Sequence, residues 1–206
     1  NPLPLAYLRS SNANSRAFGG DRWNGFKQRE GMLGYTFEHQ FDSGWGIVQK
    51  ARYFSVTTHQ QSIYATGTGA SNTQLSRFGY TTDEDLNSIN IDNQVKKQLQ
   101  LGDWQHNLLA GFDYQHLNSH MKYRYGTVYP GLDMLNPDYS QVTSDNLGLY
   151  TATQSRLSFN QQGYYLQDQM VFGGLNLLAS VRYDRYRSTT TDALNSDSKA
   201  WIDQAR

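Results

Sequence analysis

The chain has 206 residues, 18 basic and 18 acidic side chains, and no cysteine. The zero net charge removes the electrostatic signature of a nucleic-acid binder, which normally carries a basic excess on one face. Without cysteine there is no disulfide framework and no thiolate to serve as a metal ligand or nucleophile. No run of about 18 apolar residues occurs, so no transmembrane helix is predicted. The chain is aromatic (14%) yet polar, with a mean hydropathy of −0.72, which suits a soluble β protein or a membrane β-barrel.

The first predicted element is a β-hairpin. From Glu30 to Phe41, apolar and aromatic side chains alternate with polar ones, and a second alternating run starts at Trp45. Asp42-Ser43-Gly44 separates the two runs. A short connection containing glycine between alternating runs indicates a tight hairpin.

The same pattern recurs twice more along the chain. Each repeat places a glycine-containing turn between two runs in which apolar and polar side chains alternate. Asp168 is an exception, because it falls on an otherwise apolar face. The repeats comprise 91–101 with 104–115 around Gly102-Asp103, and 164–172 with 175–184 around Gly173-Gly174.

Long polar stretches at 58–88 and 117–160 separate the three hairpins. Ordinary loops contain about 4–6 residues, so these stretches are predicted to be functional loops. The alternating runs reach the roughly 9–11 residues that a strand needs to cross a bilayer. Short turns at one end and long loops at the other are typical of an outer-membrane β-barrel.

Aromatic residues flank all three turns: Phe41 and Trp45 at the first, Trp104 at the second and Phe172 at the third. Amphipathic rings at one end of successive strands form the interfacial girdle of a membrane barrel. A single tryptophan beside a turn would also cover the end of a soluble sheet. The coincidence at three turns favours the girdle.

Six short motifs follow one another along residues 18–186. They are FGGDRWN at 18–24, GYTFEHQF at 34–41, VQKARY at 48–53, HNLLAGFDY at 106–114, YLQDQ at 165–169 and VRYD at 181–184. In this order they resemble the barrel of TonB-dependent siderophore receptors, and most of all hydroxamate receptors of the ferrichrome and ferrioxamine type.

The resemblance implies an all-β fold, an antiparallel transmembrane β-barrel segment with about six long strands of a 22-stranded barrel. We expect 1–206 to be part of one barrel domain. Its expected parts are an incoming loop at 1–25, three hairpins with two long loops at 26–186, and an outgoing loop at 187–206. The plug domain and the TonB box of the family are expected to lie outside this chain.

The resemblance also implies a function: a receptor in the outer membrane of a Gram-negative bacterium that binds a ferric siderophore and imports it by TonB-dependent gated transport. The implied partners are a ferric hydroxamate siderophore, the TonB energy-coupling complex and outer-membrane lipid, with no nucleic acid. We expect no cofactor and no enzymatic activity, because the iron arrives already chelated. The alternatives are another outer-membrane barrel, such as a porin or a barrel enzyme, and a soluble β-sandwich binding protein.

Tyrosines near the strand ends are the candidate ligand-binding residues. Tyr64 lies where the second strand enters its loop, and Tyr123 and Tyr125 follow the fourth strand. Rings provide a large contact area with little loss of rotamer entropy, and the hydroxyl adds a hydrogen-bonding group. By position, the resemblance implies that these three tyrosines line a cup for the chelate. The alternative is that they belong to the outer aromatic girdle.

Other titratable residues give no metal or catalytic pattern. His116 and His120 have the spacing of a helical metal pair, but neither the helix nor the glutamate of a zincin accompanies them. Asp83-Glu84-Asp85 lacks the spacing of an EF-hand and is predicted to be a solvated loop face. His59 and His106 are interpreted as isolated surface positions.

Charged residues on the polar faces of the predicted strands are expected to face the barrel lumen, because Arg and Lys are costly on the lipid face. In a complete receptor they would hold the plug by polar contacts. Lys97 falls on the apolar face and fits there only if it snorkels towards the turn. The expected lumen residues are Glu30, Glu38, Lys50, Arg52, Asp113, Arg182 and Asp184.

Overall fold

The computed structural model describes residues 21–69, 73–195 and 199–205. These residues form one antiparallel sheet of eight strands. They contain no helix, and therefore none with the length and apolar character needed to cross a membrane. The strands are β1 (Gly25–Gln40), β2 (Trp45–Thr68), β3 (Gln74–Leu101), β4 (Trp104–Gly126), β5 (Gly131–Asp133), β6 (Leu149–Phe172), β7 (Leu175–Asp192) and β8 (Lys199–Ala205). Their order in the sheet is β1-β2-β3-β4-β6-β7-β8, with β5 paired to β3.

The three predicted hairpins are confirmed. Tight turns join β1 to β2, β3 to β4 and β6 to β7. Gly44, Gly102 and Gly173 have φ angles of 78°, 61° and 53°. These angles lie in the left-handed region, which glycine enters without steric cost and which short hairpin turns require.

The six long strands are also confirmed, but the loops between them are shorter than expected. Most of 58–88 is strand, because β2 continues to Thr68 and β3 begins at Gln74. Within 117–160, β4 continues to Gly126 and β6 begins at Leu149. The prediction of long loops at these positions is therefore wrong in extent. Threonine and tyrosine are abundant there, and both favour extended structure even where the pattern is polar.

The expected outgoing loop is wrong too. β7 extends to Asp192, and β8 pairs with it in antiparallel register, with Arg187 opposite Asp203. The expected incoming loop at 1–25 lies mostly outside the described residues, so the structure does not test it.

The described residues belong to two compact units. Unit 1 contains 21–29, 57–69, 73–85 and 121–155, and unit 2 contains 30–56, 86–120, 156–195 and 199–205. Unit 2 includes the three tight turns. Unit 1 includes the connection from β2 to β3 and the long connection from β4 to β6.

In unit 1, the connection from β4 to β6 covers one face of β3. β5, within this connection, pairs with the start of β3, with Leu75 opposite Leu132. The covered face of β3 consists of alternate residues, and at Gly79 a Cβ would lie 2.9 Å from a methyl group of Leu147. Two small apolar clusters result, one of Leu75, Leu132 and Met134, the other of Trp23, Ile63, Val142 and Leu147.

In unit 2, two residues that interrupt the apolar face have partners on it. The Asp168 carboxylate accepts a hydrogen bond from His106 Nδ1 at 2.8 Å. The prediction that His106 is isolated is therefore wrong. The Lys97 ammonium donates to the Ser43 carbonyl in the first turn and lies 5.2 Å from the Trp45 ring centroid. Lys97 thus reaches the turn, as snorkelling requires.

On the polar face of unit 2, Tyr165 and Arg182 lie over two glycines. The Tyr165 hydroxyl donates to Asp92 at 2.6 Å, and its ring occupies the space where Gly111 has no side chain. A Cβ at Gly111 would lie 2.0 Å from Tyr165 Cζ, and one at Gly163 would lie 2.2 Å from an Arg182 guanidinium nitrogen. Both glycines therefore make room for a large side chain of the neighbouring strand.

Arg182 joins two carboxylates on this polar face. Its guanidinium donates to Asp113 at 2.6 and 3.1 Å and to Asp184 at 2.6 and 2.7 Å. Gln161 donates to Asp184 at 3.0 Å. These contacts confirm that Asp113, Arg182 and Asp184 share one face, as the alternation predicts.

A methyl group added at Gly111 or Gly163 is expected to destabilise the sheet. Gly111→Ala displaces the Tyr165 ring from Asp92, and overpacking of this kind costs about 1–3 kcal/mol. The urea midpoint of the full-length protein in detergent micelles should fall for Gly111→Ala and Gly163→Ala. Gly31→Ala is the matched control, because open space surrounds Gly31. Unchanged midpoints for both variants would contradict this packing.

Candidate functional site

Seven aromatic side chains of unit 1 form one continuous cluster. They come from β2, β3, β4, β6 and the segment after β4. The three sequence-predicted candidates all belong to it. The members of this aromatic cluster are Tyr64, Phe78, Tyr80, Tyr123, Tyr125, Tyr129 and Tyr150.

Phe78 and Tyr80 on β3 connect the cluster. Tyr64 contacts both, with ring centroids 5.6 Å from Phe78 and 6.2 Å from Tyr80. On the β4 side, Tyr125 stacks on Phe78 at 6.1 Å, and Tyr123 contacts Tyr80 at 5.9 Å. Offset and tilted ring pairs at 4.5–7 Å are mutually stabilising. The three predicted tyrosines therefore meet through two residues that the sequence analysis did not single out.

The remaining rings extend the cluster. Tyr129 lies 5.9 Å from Phe78, and Tyr150 lies 5.6 Å from Tyr125. Tyr64, Tyr129 and Tyr150 are 47%, 58% and 56% exposed, so the cluster presents its rings to its surroundings.

Strand alternation explains why this face is open. In β3, Phe78 and Tyr80 alternate with Arg77, Gly79 and Thr81, which are buried. Successive side chains of a strand point to opposite faces. The connection from β4 to β6 covers the face of Arg77, and the aromatic cluster therefore projects from the other face of unit 1.

A buried ion pair holds the covered face together. Arg77 Nη1 donates to Asp21 Oδ2 at 3.0 Å, and both side chains have no exposed surface. The same guanidinium also donates to the carbonyls of Pro130 and Gly131, at 3.4 and 3.3 Å. Arg77 thereby joins three parts of unit 1: the segment before β1, β3 itself and the start of β5.

The connection from β4 to β6 is also fixed by its own hydrogen bonds. The Asp138 carboxylate accepts from the Ser140 hydroxyl at 2.6 Å, from the Ser140 amide at 2.9 Å and from Gln141 at 3.1 Å. These bonds, that of the Ser140 hydroxyl foremost, hold the pKa of Asp138 below its usual value. Trp23 Nε1 donates to Ser144 Oγ at 3.1 Å and ties the connection to the segment before β1.

Asp83 was predicted to lie on a solvated loop face, but it lies within β3. Its carboxylate contacts His59 Nδ1 at 2.5 Å and accepts from Arg124 at 3.1 Å. His59 is therefore not isolated, and the charge of Arg124 has a local partner. His116 bonds Asn160 at 2.7 Å and Asn118 at 2.8 Å, and it is not paired with His120. Among the described residues no group of three or more His, Cys, Asp or Glu side chains could hold a metal ion.

These features define the class of protein: an outer-membrane β-barrel segment with tight turns, an apolar sheet face carrying ring pairs and an open aromatic cluster in unit 1. The family model for the TonB dependent receptor-like β-barrel matches residues 1–204. The chain belongs to this family. Its members are outer-membrane transport receptors without a cofactor and not enzymes. The porin, barrel-enzyme and β-sandwich alternatives are therefore wrong.

Curated relatives include siderophore receptors. The chain is 36% identical to the ferrioxamine B receptor of Salmonella typhimurium, over 90% of this chain and 26% of the relative. It is 31% identical to the ferrioxamine receptor of Yersinia enterocolitica, over 84% of this chain and 25% of the relative. It is 26% identical to the ferrichrome outer membrane transporter/phage receptor of Escherichia coli K12, over 89% of this chain and 27% of the relative. The chain thus spans about a quarter of the length of these relatives.

Solved structures show the same fold. The closed form of the ferric-catecholate import receptor of Escherichia coli K12 matches with a TM-score of 0.72 and 14% identity, over 95% of this chain and 32% of that chain. A siderophore receptor of Acinetobacter baumannii matches with a TM-score of 0.72 and 11% identity, over 91% of this chain and 30% of that chain.

Loss of the buried Arg77 charge is expected to release the connection from β4 to β6. In Arg77→Met the Asp21 carboxylate stays buried without its cation, and breaking a buried pair costs about 3–5 kcal/mol. Limited proteolysis of the full-length receptor in micelles should then cut within 131–147 at least about ten-fold faster.

The matched control is Arg22→Gln, which changes an exposed arginine beside the pair. The double variant Asp21→Asn/Arg77→Met should recover part of the protection, because no charge is left buried. Equal cleavage of the wild type and Arg77→Met would contradict the anchoring role of the pair.

Proposed function

We propose that this chain is part of an outer-membrane receptor that binds a ferric siderophore at the aromatic cluster and imports it by TonB-dependent gated transport. The names of the curated relatives support a siderophore as ligand. The observation that carries the proposal is the convergence of Tyr64, Tyr123 and Tyr125 on Phe78 and Tyr80.

The cluster suits a bulky chelate. The iron of a siderophore complex is already fully coordinated, so its receptor needs a broad contact surface and not metal ligands. Rings provide that surface because they lose little rotamer entropy on binding. The tyrosine hydroxyls add donors for the oxygen atoms at the periphery of the chelate.

The charges around the cluster favour a ferric hydroxamate. Three hydroxamates neutralise a ferric ion, whereas three catecholates leave the complex strongly negative. In the described parts of β2, β3 and β4 within unit 1, the basic residues are Arg77, Lys122 and Arg124. All three alternate along their strands with cluster residues and so point to the other face. An aromatic surface without basic side chains suits a chelate without net negative charge.

The polar face of unit 2 is proposed to contact the plug. Arg182, Asp113 and Asp184 form a fixed charged group there, and Lys50 and Arg52 line a concavity of the same face with Asp92. Fixed charges give a docking surface its register more than its affinity. Movement of the plug by the TonB complex would then break these polar contacts to open the path.

Removal of single rings from the cluster is expected to weaken ligand binding. For the full-length receptor in detergent, quenching of intrinsic fluorescence by a ferric hydroxamate should be saturable. Tyr64→Ala and Tyr125→Ala should each raise the Kd roughly ten-fold, and Tyr123→Ala somewhat less, because a buried aromatic contact contributes about 1–2 kcal/mol. A ferric catecholate should bind more weakly than the hydroxamate.

Tyr53→Ala is the matched control, since Tyr53 is similarly exposed (49%) but belongs to unit 2. Wild-type Kd values in the variants of Tyr64, Tyr123 and Tyr125 would move the binding site away from the cluster. A wild-type receptor that binds no ferric chelate would refute the proposed function itself.

A further inference from the structure

The polar face of unit 2 divides into two parts along its strands. Farther from the tight turns, Arg182 joins Asp113 and Asp184, so these charged groups satisfy one another. In the same part Asp92 accepts a hydrogen bond from the Tyr165 hydroxyl at 2.6 Å. Closer to the turns the face carries amide side chains, and most of these have no such bonds.

A cleft of about 540 Å³ lies beside the tight turns. Strand alternation places its polar side chains on the face that also carries Arg182 and Asp113. β1, β3, β4 and β6 each contribute at least one of them, so the cleft extends across the sheet. The polar side chains of the cleft are Gln40, Lys96, Gln98, Asn107, Gln167 and Gln169.

Gly46 on β2 makes room for this arrangement. A Cβ at Gly46 would lie 2.7 Å from Gln40 Oε1 and 3.8 Å from Lys96 Cβ. The Gln40 side chain of β1 therefore lies over Gly46, and Lys96 of β3 flanks the same space. Because Gly46 has no side chain, β1 and β3 can present their polar groups to one cleft.

Most polar side chains of the cleft have no partner among the described residues. Asn107 accepts a hydrogen bond from Gln105 at 3.3 Å. The other five make no side-chain hydrogen bond or ion pair within the part of the chain that the structure describes. Each glutamine amide offers two N–H donors, and an ammonium offers three. The cleft is thus rich in unused donors, and the Lys96 ammonium adds a positive charge.

We propose that this cleft is a transit site for the ferric hydroxamate on its way to the periplasm. The inference rests on the proposed function and adds a second place of contact, in unit 2 and separate from the aromatic cluster. A barrel of this kind has a polar interior and periplasmic tight turns, so the cleft lies on the lumen wall at its periplasmic end. A neutral ferric hydroxamate presents the oxygen atoms that coordinate its iron, and these accept hydrogen bonds from amide and ammonium groups.

Several weak contacts suit a transit site. Passage through a protein requires binding that is favourable enough for entry and weak enough for release. Hydrogen bonds to neutral amides are individually weak in water, so a chelate held by several of them can leave again. In the resting receptor the plug that we propose for this face would cover the cleft, and movement of the plug would expose it.

The test compares binding with import for the full-length receptor. Gln98→Glu/Gln167→Glu keeps the size of both side chains but replaces N–H donors by carboxylates, which repel the oxygens of the chelate. The maximal rate at which cells take up a radiolabelled ferric trihydroxamate, per receptor, should fall roughly ten-fold, because two donors are lost from the path. In detergent, the Kd from fluorescence quenching and the thermal unfolding midpoint should both equal the wild-type values.

Gln100→Glu/Asn176→Asp is the matched control, because it adds two negative charges to the same face outside the cleft. Its uptake should equal that of the wild type. Gln98→Asn/Gln167→Asn retains both amides at shorter reach and should import at an intermediate rate. This variant also covers poor folding of the glutamate variant.

Wild-type uptake in the glutamate variant would overturn the proposal, and so would an equal loss of uptake in the control. Slower uptake together with a lower unfolding midpoint would assign these amides to holding the plug, which would overturn it as well. A wild type that binds no ferric chelate would refute the proposed function, on which the transit site depends.

Discussion

A strand that crosses a bilayer has no water to satisfy its backbone, so each N–H and C=O must pair with a neighbouring strand. That pairing forces successive side chains to opposite faces, and both units of this chain follow from it. In unit 2 it separates an apolar face, limited by the Phe112–Tyr164 contact, from a polar face organised by Arg182. In unit 1 it separates a face covered by the connection from β4 to β6 from a face of seven rings.

Several polar residues that violate the alternation have a local partner. A polar group without a partner is costly in hydrocarbon. Asp168 is paired with His106 on the apolar face. On the same face Gln49 accepts from the Tyr35 hydroxyl at 2.7 Å and donates to Asn93 at 2.8 Å. These cross-strand pairs make a polar side chain tolerable in the face that lipid covers.

Features with a local cause could be predicted from the sequence. The turn glycines, the six long strands and the shared face of Asp113, Arg182 and Asp184 all follow from period-two patterns and short-range turn chemistry. The extent of β2 and β3 could not, because polar strands rich in threonine and tyrosine resemble loops in composition. Contacts between side chains of different strands could not be predicted from the sequence either. Arg77 and Asp21 are 56 positions apart, and only the strand register shows that Phe78 and Tyr80 join Tyr64 to Tyr123 and Tyr125.

Chemical protection of the cluster tests directly whether the rings form a surface for a ferric chelate. The chain contains no cysteine, so Tyr64→Cys and Tyr125→Cys each introduce one thiol into it. On intact cells a membrane-impermeant maleimide should label both, and a ferric hydroxamate should slow the labelling in a saturable manner. Leu177→Cys, on the apolar face, should not react. Labelling of both cluster cysteines that is unaffected by saturating chelate would show that the chelate does not bind at the rings.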